Sequence, residues 1–442
     1  MRKFLMFLFY FLLIALVGVG VWFFMVYFEG EKPEILSDRD ITMIGQKTTF
    51  DVTCTDRKSG LRSASVTISQ DGKQYTIGSL NFPGRGVSKK TMSISVFPED
   101  LKLHDGTATI DISVTDYSFR KNKHIVTFEV VIDTVPPQIS PASFQHYINP
   151  GGSCVVTYRL SEDVSRSGVQ VEDDYFPSYP RATGDGTLHI SYFAVPAIDI
   201  ASTMKIHILA EDNAGNTTLN PISFHARNKK FRNDRMNISQ RFLERKVLEF
   251  QHRYKDLQGV TLLEAFSRIN TEMRMDNRKT IETICEDTQP KQLWEGAFLR
   301  MKNAATMATF GDRRTYYHNG NKISTSVHMG VDLASTQNAP VEASNEGIVL
   351  FTGHIGIYGN TVIIDHGMGV FSLYGHLSSI SVRKNQTVKK GESIGRTGLT
   401  GMAGGDHLHF SMIVGGKFVN PVEWWDPHWI QDNITRKLFG EG

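Results

Sequence analysis

Residues 4–28 carry no charged side chain and are apolar nearly throughout. A helix of about 20 such residues spans the ~30 Å hydrocarbon core of a bilayer. A helix that is apolar on every side has no polar face to turn to water. The run therefore points to a membrane helix rather than a core helix. Arg2 and Lys3 precede it, and Glu29 and Glu31 follow it. The positive-inside tendency then leaves the N-terminus in the cytoplasm and sends the rest of the chain across. A cleaved signal peptide is the rival reading. Its apolar region would be shorter and would end in small residues, whereas residues 22–28 read WFFMVYF. The expectation is an uncleaved single-pass anchor in the inner (cytoplasmic) membrane over residues 1–30, with the bulk of the chain periplasmic or otherwise extracytoplasmic.

Beyond the anchor the sequence takes on a period of two. Residues 48–54 read TTFDVTC and residues 154–160 read CVVTYRL. Alternation puts Phe50, Val52 and Cys54 on one face, and likewise Cys154, Val156, Tyr158 and Leu160. Residues 107–116 (TATIDISVTD) and 204–212 (MKIHILAED) repeat the pattern, each followed by a polar turn. Matching points lie about 100 residues apart. Several short alternating strands per repeat predict two β-sandwiches. Both copies resemble bacterial immunoglobulin-like modules, over 34–133 and 134–228. The two prolines of DTVPPQI (133–139) favour an extended linker. Asp56, Asp116, Glu162, Asp163 and Asp212 suit either calcium binding at the module ends or plain turn closure.

The net charge of +2 gives no global pull toward nucleic acid, and no nucleic-acid partner is expected. Cys54, Cys154 and Cys285 are the only cysteines, too few for a disulfide framework. Cys54 and Cys154 fall on apolar positions and read as buried free thiols.

From residue 229 to 300 the period becomes helical. Leu243, Val247, Phe250 and Tyr254 recur on one helical face, and Gly259 ends the pattern. Thr261 and Glu264 have the spacing of a capping box. Leu262, Phe266, Ile269 and Met273 then resume it. The segment is read as a connector, with a lid over a neighbouring cleft as the sharper alternative. Arg241, Arg245, Lys246 and Arg253 are read as a solvated face.

The last third of the chain concentrates histidine. His407-Leu408-His409 stands downstream of His328-Met329-Gly330-Val331-Asp332, with Tyr374-Gly375-His376 between them. Residues 407–413 read HLHFSMI, which suits a strand, and in a strand residues i and i+2 share a face. His407 and His409 then face one cleft. His328 and Asp332 are four apart, with a glycine to permit a turn. A catalytic zinc takes three protein ligands and leaves one position open. Five such groups supply three ligands and leave two imidazoles to move protons. That points to a hydrolase rather than a structural metal site. His354 and His366 read as structural.

The stretch 301–427 resembles the lysostaphin-type (LytM-like) zinc metallopeptidases, enzymes that cut the peptide part of peptidoglycan. The matching pieces are FGDRR (310–314), HMGVDLA (328–334), PVEASNEGIV (340–349), YGNTVIIDHG (358–367), LYGHLSSI (373–380), VKKGESIGRTGLTG (388–401), GDHLHFSM (405–412) and VNP (419–421), in the family's order. The resemblance implies one Zn2+ per chain, held by His328, Asp332 and His409, with His376 and His407 acting beside it. It gives no decision between Tyr316 and Tyr317 as a further helper. Some relatives lose ligands and instead activate other wall hydrolases; all five positions are kept here.

The expected architecture is therefore multidomain and mainly β: a transmembrane helix, two immunoglobulin-like sandwiches, a helical connector or lid, a C-terminal zinc peptidase domain, and a tail over 428–442. The expected function is zinc-dependent hydrolysis of peptide cross-links, since no glycosidase carboxylate pair is evident. A D,D cross-link is expected, with a glycine bridge as the alternative bond. Peptidoglycan, the membrane, and cell-wall or division proteins are the expected partners. The second reading is an anchored, non-hydrolytic scaffold or activator. An adhesin reading leaves the histidine cluster unexplained. Trp424, Trp425 and Trp429 are read as packing residues.

Overall fold

The structure is a computed structural model that describes residues 2–196, 204–227 and 229–440. Residue 228, at the expected module boundary, and the last two residues of the expected tail lie outside the described residues. The chain divides into two compact units. One is Met1–Pro137 with Glu162–Ser165 and Glu211–Thr218. The other is Gln138–Ser161, Arg166–Ala210 and Leu219–Gly442.

The first unit begins with the helix Arg2–Tyr27, which is long and apolar enough to cross a membrane. A five-stranded sheet follows, in the order Met43–Ile44, Lys123–Ile132, Gly106–Asp116, Leu61–Gln70, Lys73–Asn81. A three-stranded sheet of Glu34–Ser37, Thr48–Thr55 and Lys89–Val96 packs on it. Phe50, Val52 and Cys54 alternate into a core shared with Val66, Ile110 and Ile112. The alternation seen in sequence is thus the burial of one face per strand.

The tip acids close turns. Asp56 Oδ1 accepts from the N–H groups of Lys58 and Gly60, at 3.1 and 2.7 Å. Asp116 Oδ1 accepts from Ser118 N at 3.1 Å. Asp212 Oδ1 accepts from Ala214 N and Asn216 N, at 2.8 and 2.9 Å. The internal repeat shows in the amides. Asn122 Nδ2 donates to Glu29 O (3.1 Å) and Asp116 Oδ2 (2.9 Å). Asn216 Nδ2 donates to Asp133 O and Asp212 Oδ2, both at 2.8 Å.

In the second unit, the strand Ser153–Leu160 departs from simple alternation: residues 153–158 are all buried. The expected tail explains this. Residues 427–439 are helical, and Ile430, Ile434 and Leu438, four apart, are buried. They pack across the outer face of that strand, where Thr157 Oγ1 donates to Lys437 O at 3.3 Å. The second β-module therefore shares one apolar core with the C-terminal domain. Trp424 is fully buried at their junction, 6.4 Å from the Tyr192 ring and 5.5 Å from that of Trp294.

The helical expectation for 229–300 holds only in part. Asn233–Asn237 is a strand, parallel to Arg313–His318. Helical turns run from residue 240 to 253 and from 262 to 284. Gly259, at φ +78°, separates them, and Thr261 Oγ1 caps the second by accepting from Glu264 N. Residues 285–304 are mostly irregular and are held through buried Trp294 and Phe298.

The C-terminal sheet runs Ala305–Ala308, Val331–Ala334, Leu408–Val414, Val370–Gly375, Gly359–Asp365, Gly347–Ile355, Thr387–Val388. Its central strand, Leu408–Val414, is buried on both faces. That strand carries His409.

Candidate metal centre and cleft

Register places the groups. Asp332 lies directly opposite His409, on strands Val331–Ala334 and Leu408–Val414. On the other side His409 pairs with Gly375, immediately before His376. Opposed residues project to the same face of a sheet. His407 precedes the central strand and bridges to Gly398. His328 enters from the turn ahead of Val331, and this approach requires Gly330. A Cβ at Gly330 would lie 2.6 Å from His409 Nε2 and from Phe410 O.

Three donor atoms converge. Asp332 Oδ1 is 2.9 Å from His328 Nε2 and 2.9 Å from His409 Nδ1, and those two nitrogens are 3.1 Å apart. Their other polar contacts fix the tautomers. A carbonyl can only accept, so His328 Nδ1 donates to Thr309 O at 3.0 Å and leaves Nε2 with its lone pair. Ser411 Oγ donates to Met329 O, so it accepts from His409 Nε2 at 3.0 Å and leaves Nδ1 free. Two imidazole lone pairs and a carboxylate oxygen thus meet, a donor set that suits zinc.

His376 and His407 stand beside this point, their rings 4.8 Å apart. His376 Nδ1 donates to Thr400 O at 2.8 Å, and His407 Nδ1 to Gly405 O at 2.8 Å. His407 Nε2 is 3.5 Å from Asp332 Oδ1. His376 sits at φ +63°, in the left-handed region. For a residue with a side chain this costs about 1–2 kcal/mol and is held by tertiary contacts. Here His376 N donates to Tyr358 O at 2.7 Å.

Electrostatics follow from burial and from Asp332. Burial opposes charge on Asp332, yet its interactions with the surrounding imidazoles, His328 foremost, hold its carboxyl well below the usual range. Burial pushes His409 down to about 4. His376 is lowered well below the ordinary value by burial and by the neighbouring His407 and His409. Burial acts against His407 too, but its bond to Asp332 raises it.

Residues 326–421 match the model of Peptidase family M23. This M23 domain is 46% identical over 96 residues to the DD-carboxypeptidase/endopeptidase Mpg of Neisseria meningitidis, covering 22% of each chain. It is 42% identical to the peptidoglycan DD-endopeptidase ShyA of Vibrio cholerae, again over 22% of each. To the murein hydrolase activator NlpD of Salmonella dublin it is 35% identical, over 22% of this chain and 25% of that one. The likeness thus spans about a fifth to a quarter of these relatives' length.

All five residues singled out in sequence come together in one cleft of about 570 Å³, which the M23 domain and the helical segment build jointly. His366 is elsewhere and wholly buried, bonded to Glu346 O and Ser372 Oγ at 2.7 Å each. His354 faces Tyr254. Arg314 escaped the sequence reading. Its Nη2 is 3.3 Å from Asp332 Oδ2. Tyr316 lies on the same face of strand Arg313–His318 and lines the cleft, while Tyr317 lies under the Arg235 guanidinium. The i, i+2 spacing of Arg314 and Tyr316 was the available signal. Phe242, Phe266 and Asn270, which wall the cleft from the helical segment, gave none, because their approach is long-range. Lys246, read in sequence as part of a solvated face, is buried at 4% exposure. Its ammonium is taken up by backbone carbonyls of the M23 domain.

Proposed function

We propose that this protein is a membrane-anchored zinc metalloendopeptidase that hydrolyses peptide cross-links of bacterial peptidoglycan. The carrying observation is the convergence of His328 Nε2, Asp332 Oδ1 and His409 Nδ1, with His376 and His407 beside them in a cleft. These three would hold the zinc. When bound, it supplies a Lewis acid for the scissile carbonyl and brings the pKa of a coordinated water toward neutral. His376 and His407 each commit Nδ1–H to a backbone carbonyl, which leaves Nε2 as the working nitrogen. Between them they remove a proton from the attacking water and deliver one to the leaving amine. Arg314 holds the second oxygen of Asp332 and so fixes the carboxylate's orientation. The names of Mpg and ShyA favour a D,D bond. The helix Arg2–Tyr27 would tether the enzyme to the inner membrane, with the wall as substrate on the far side and wall or division proteins as partners.

One observation favours a second reading, an anchored activator of other hydrolases: a relative of comparable match is named a murein hydrolase activator. The complete donor set speaks for hydrolysis. The test is zinc content and muropeptide release by the purified full chain. One zinc per chain with cleavage of cross-linked muropeptides is expected. Zinc binding with no cleavage of any wall tested would favour the activator.

A further inference from the structure

The loop between strand Ser393–Arg396 and His407 presents three successive carbonyls. The middle one, Thr400 O, accepts from His376 Nδ1 at 2.8 Å. The two beside it accept from the Lys246 ammonium, Leu399 O at 2.5 Å and Gly401 O at 3.1 Å. Arg245 reaches the same loop at Gly404 O, 2.9 Å away. Lys246 also pairs with half-exposed Glu249 at 3.3 Å. A buried ammonium persists only where acceptors replace its water, and the carbonyls of this loop do so.

The loop needs such a clamp. It contains Gly398, Gly401, Gly404 and Gly405, and glycine leaves peptide planes free to rotate. On its inner side it is already fixed. Gly401 sits at φ +64°, where a Cβ would lie 2.4 Å from Gly359 N and from Ile357 O. Asn360 N donates to Thr400 Oγ1, which in turn donates to Leu377 O, both at 3.0 Å. Lys246 supplies the outer hold, from a helix that lies outside the M23 match.

We infer that Lys246 is a positioning residue for His376. It holds the carbonyls on both sides of Thr400 and so fixes the acceptor that keeps the proton on His376 Nδ1. Nε2 is then the unprotonated nitrogen. The helical segment is accordingly a fixed wall of the cleft rather than a lid. The consequence for rate rests on the proposed peptidase function; the tautomer of His376 does not.

The experiment uses the full chain in detergent, 15N-labelled at histidine, with and without zinc. In the wild type, His376, assigned by its absence from His376→Asn, should show a protonated Nδ1 protected from solvent exchange. In Lys246→Met that proton should exchange at least tenfold faster while zinc stays at one per chain. On cross-linked muropeptides kcat should fall at least tenfold with KM within twofold. Lys246→Arg, which keeps donors, should recover most of the loss. A wild-type His376 protonated on Nε2 overturns the inference, whatever the variants do. So does a Lys246→Met protein with unchanged exchange, or one that loses zinc in step with rate. If Lys246→Met does not fold, the wild-type tautomer decides. A chain that cuts no wall substrate sinks the peptidase function and leaves the exchange result to judge Lys246 by itself.

Discussion

The two halves of the cleft are held in different ways. The donor cluster of His328, Asp332 and His409 is supported from within the C-terminal domain. Strand register, Thr309 O and the Ser411 hydroxyl set it. The pair His376 and His407 depends on a glycine-rich loop whose outer face is held by Lys246 and Arg245. One half is therefore carried by β-sheet geometry, which tolerates little variation. The other is carried by a contact with a helical segment that the family match does not include. Metal affinity and turnover should respond to different regions of the chain.

The largest expected effect breaks the first half. His409→Ala removes a donor from the centre of the sheet, so bound zinc should fall to background and activity with it. Retention of one zinc per chain would show that the donors are misassigned. Next, His376→Ala should keep its zinc and lose about 10²–10⁴-fold in kcat, the usual scale for a general acid–base group. Were the folded His376→Ala protein metal-free, the division between donors and proton-moving groups would be wrong. Smaller again is Ser411→Ala, which removes the acceptor that holds His409 Nε2–H. It should weaken zinc about 10–100-fold, read by competition with a chelator. An unchanged affinity would mean that the sheet alone orients the ring.

Sequence made the first half legible and the second only partly so. The alternation HLHFSMI announced the strand Leu408–Val414, and the four-residue spacing from His328 to Asp332 announced a shared reach. Both are local signals, read within a few residues. The repeated tip acids were legible too, through turn chemistry. Lys246 was not. Its place on a helix beside Arg245 and Arg253 looks like a solvated face until the loop at 399–401 folds onto it. For the same reason Asn233–Asn237 read as helical, since its strand exists only through its parallel partner Arg313–His318. The double burial of residues 153–158 depends on Ile430, Ile434 and Leu438, from the other end of the chain. Each miss is a long-range cover that no local period encodes.

The smallest effect on catalysis, and the sharpest control, concerns support on the far side of the M23 domain. Glu423 is buried against the second β-module, where it accepts from Asn149 Nδ2 at 2.6 Å and Ser153 N at 3.0 Å. Burial pushes its carboxyl up from 4.5 to about 7, against the pull of its hydrogen bonds and of Lys229. A raised acid stays protonated in the fold after the unfolded chain has released its proton. Stability from this group is therefore greatest below about 4.5, falls as pH rises toward 7, and is level above that. The span amounts to about 3–4 kcal/mol. Glu423→Gln cannot titrate, so its Tm should change less between pH 5 and 8 than that of the wild type. Zinc content and kcat should be unchanged, because neither half of the cleft leans on this contact. A drop in kcat at constant zinc would mean that the β-module also positions His376 and His407, and the division between self-supported and externally held halves would need a second external hold.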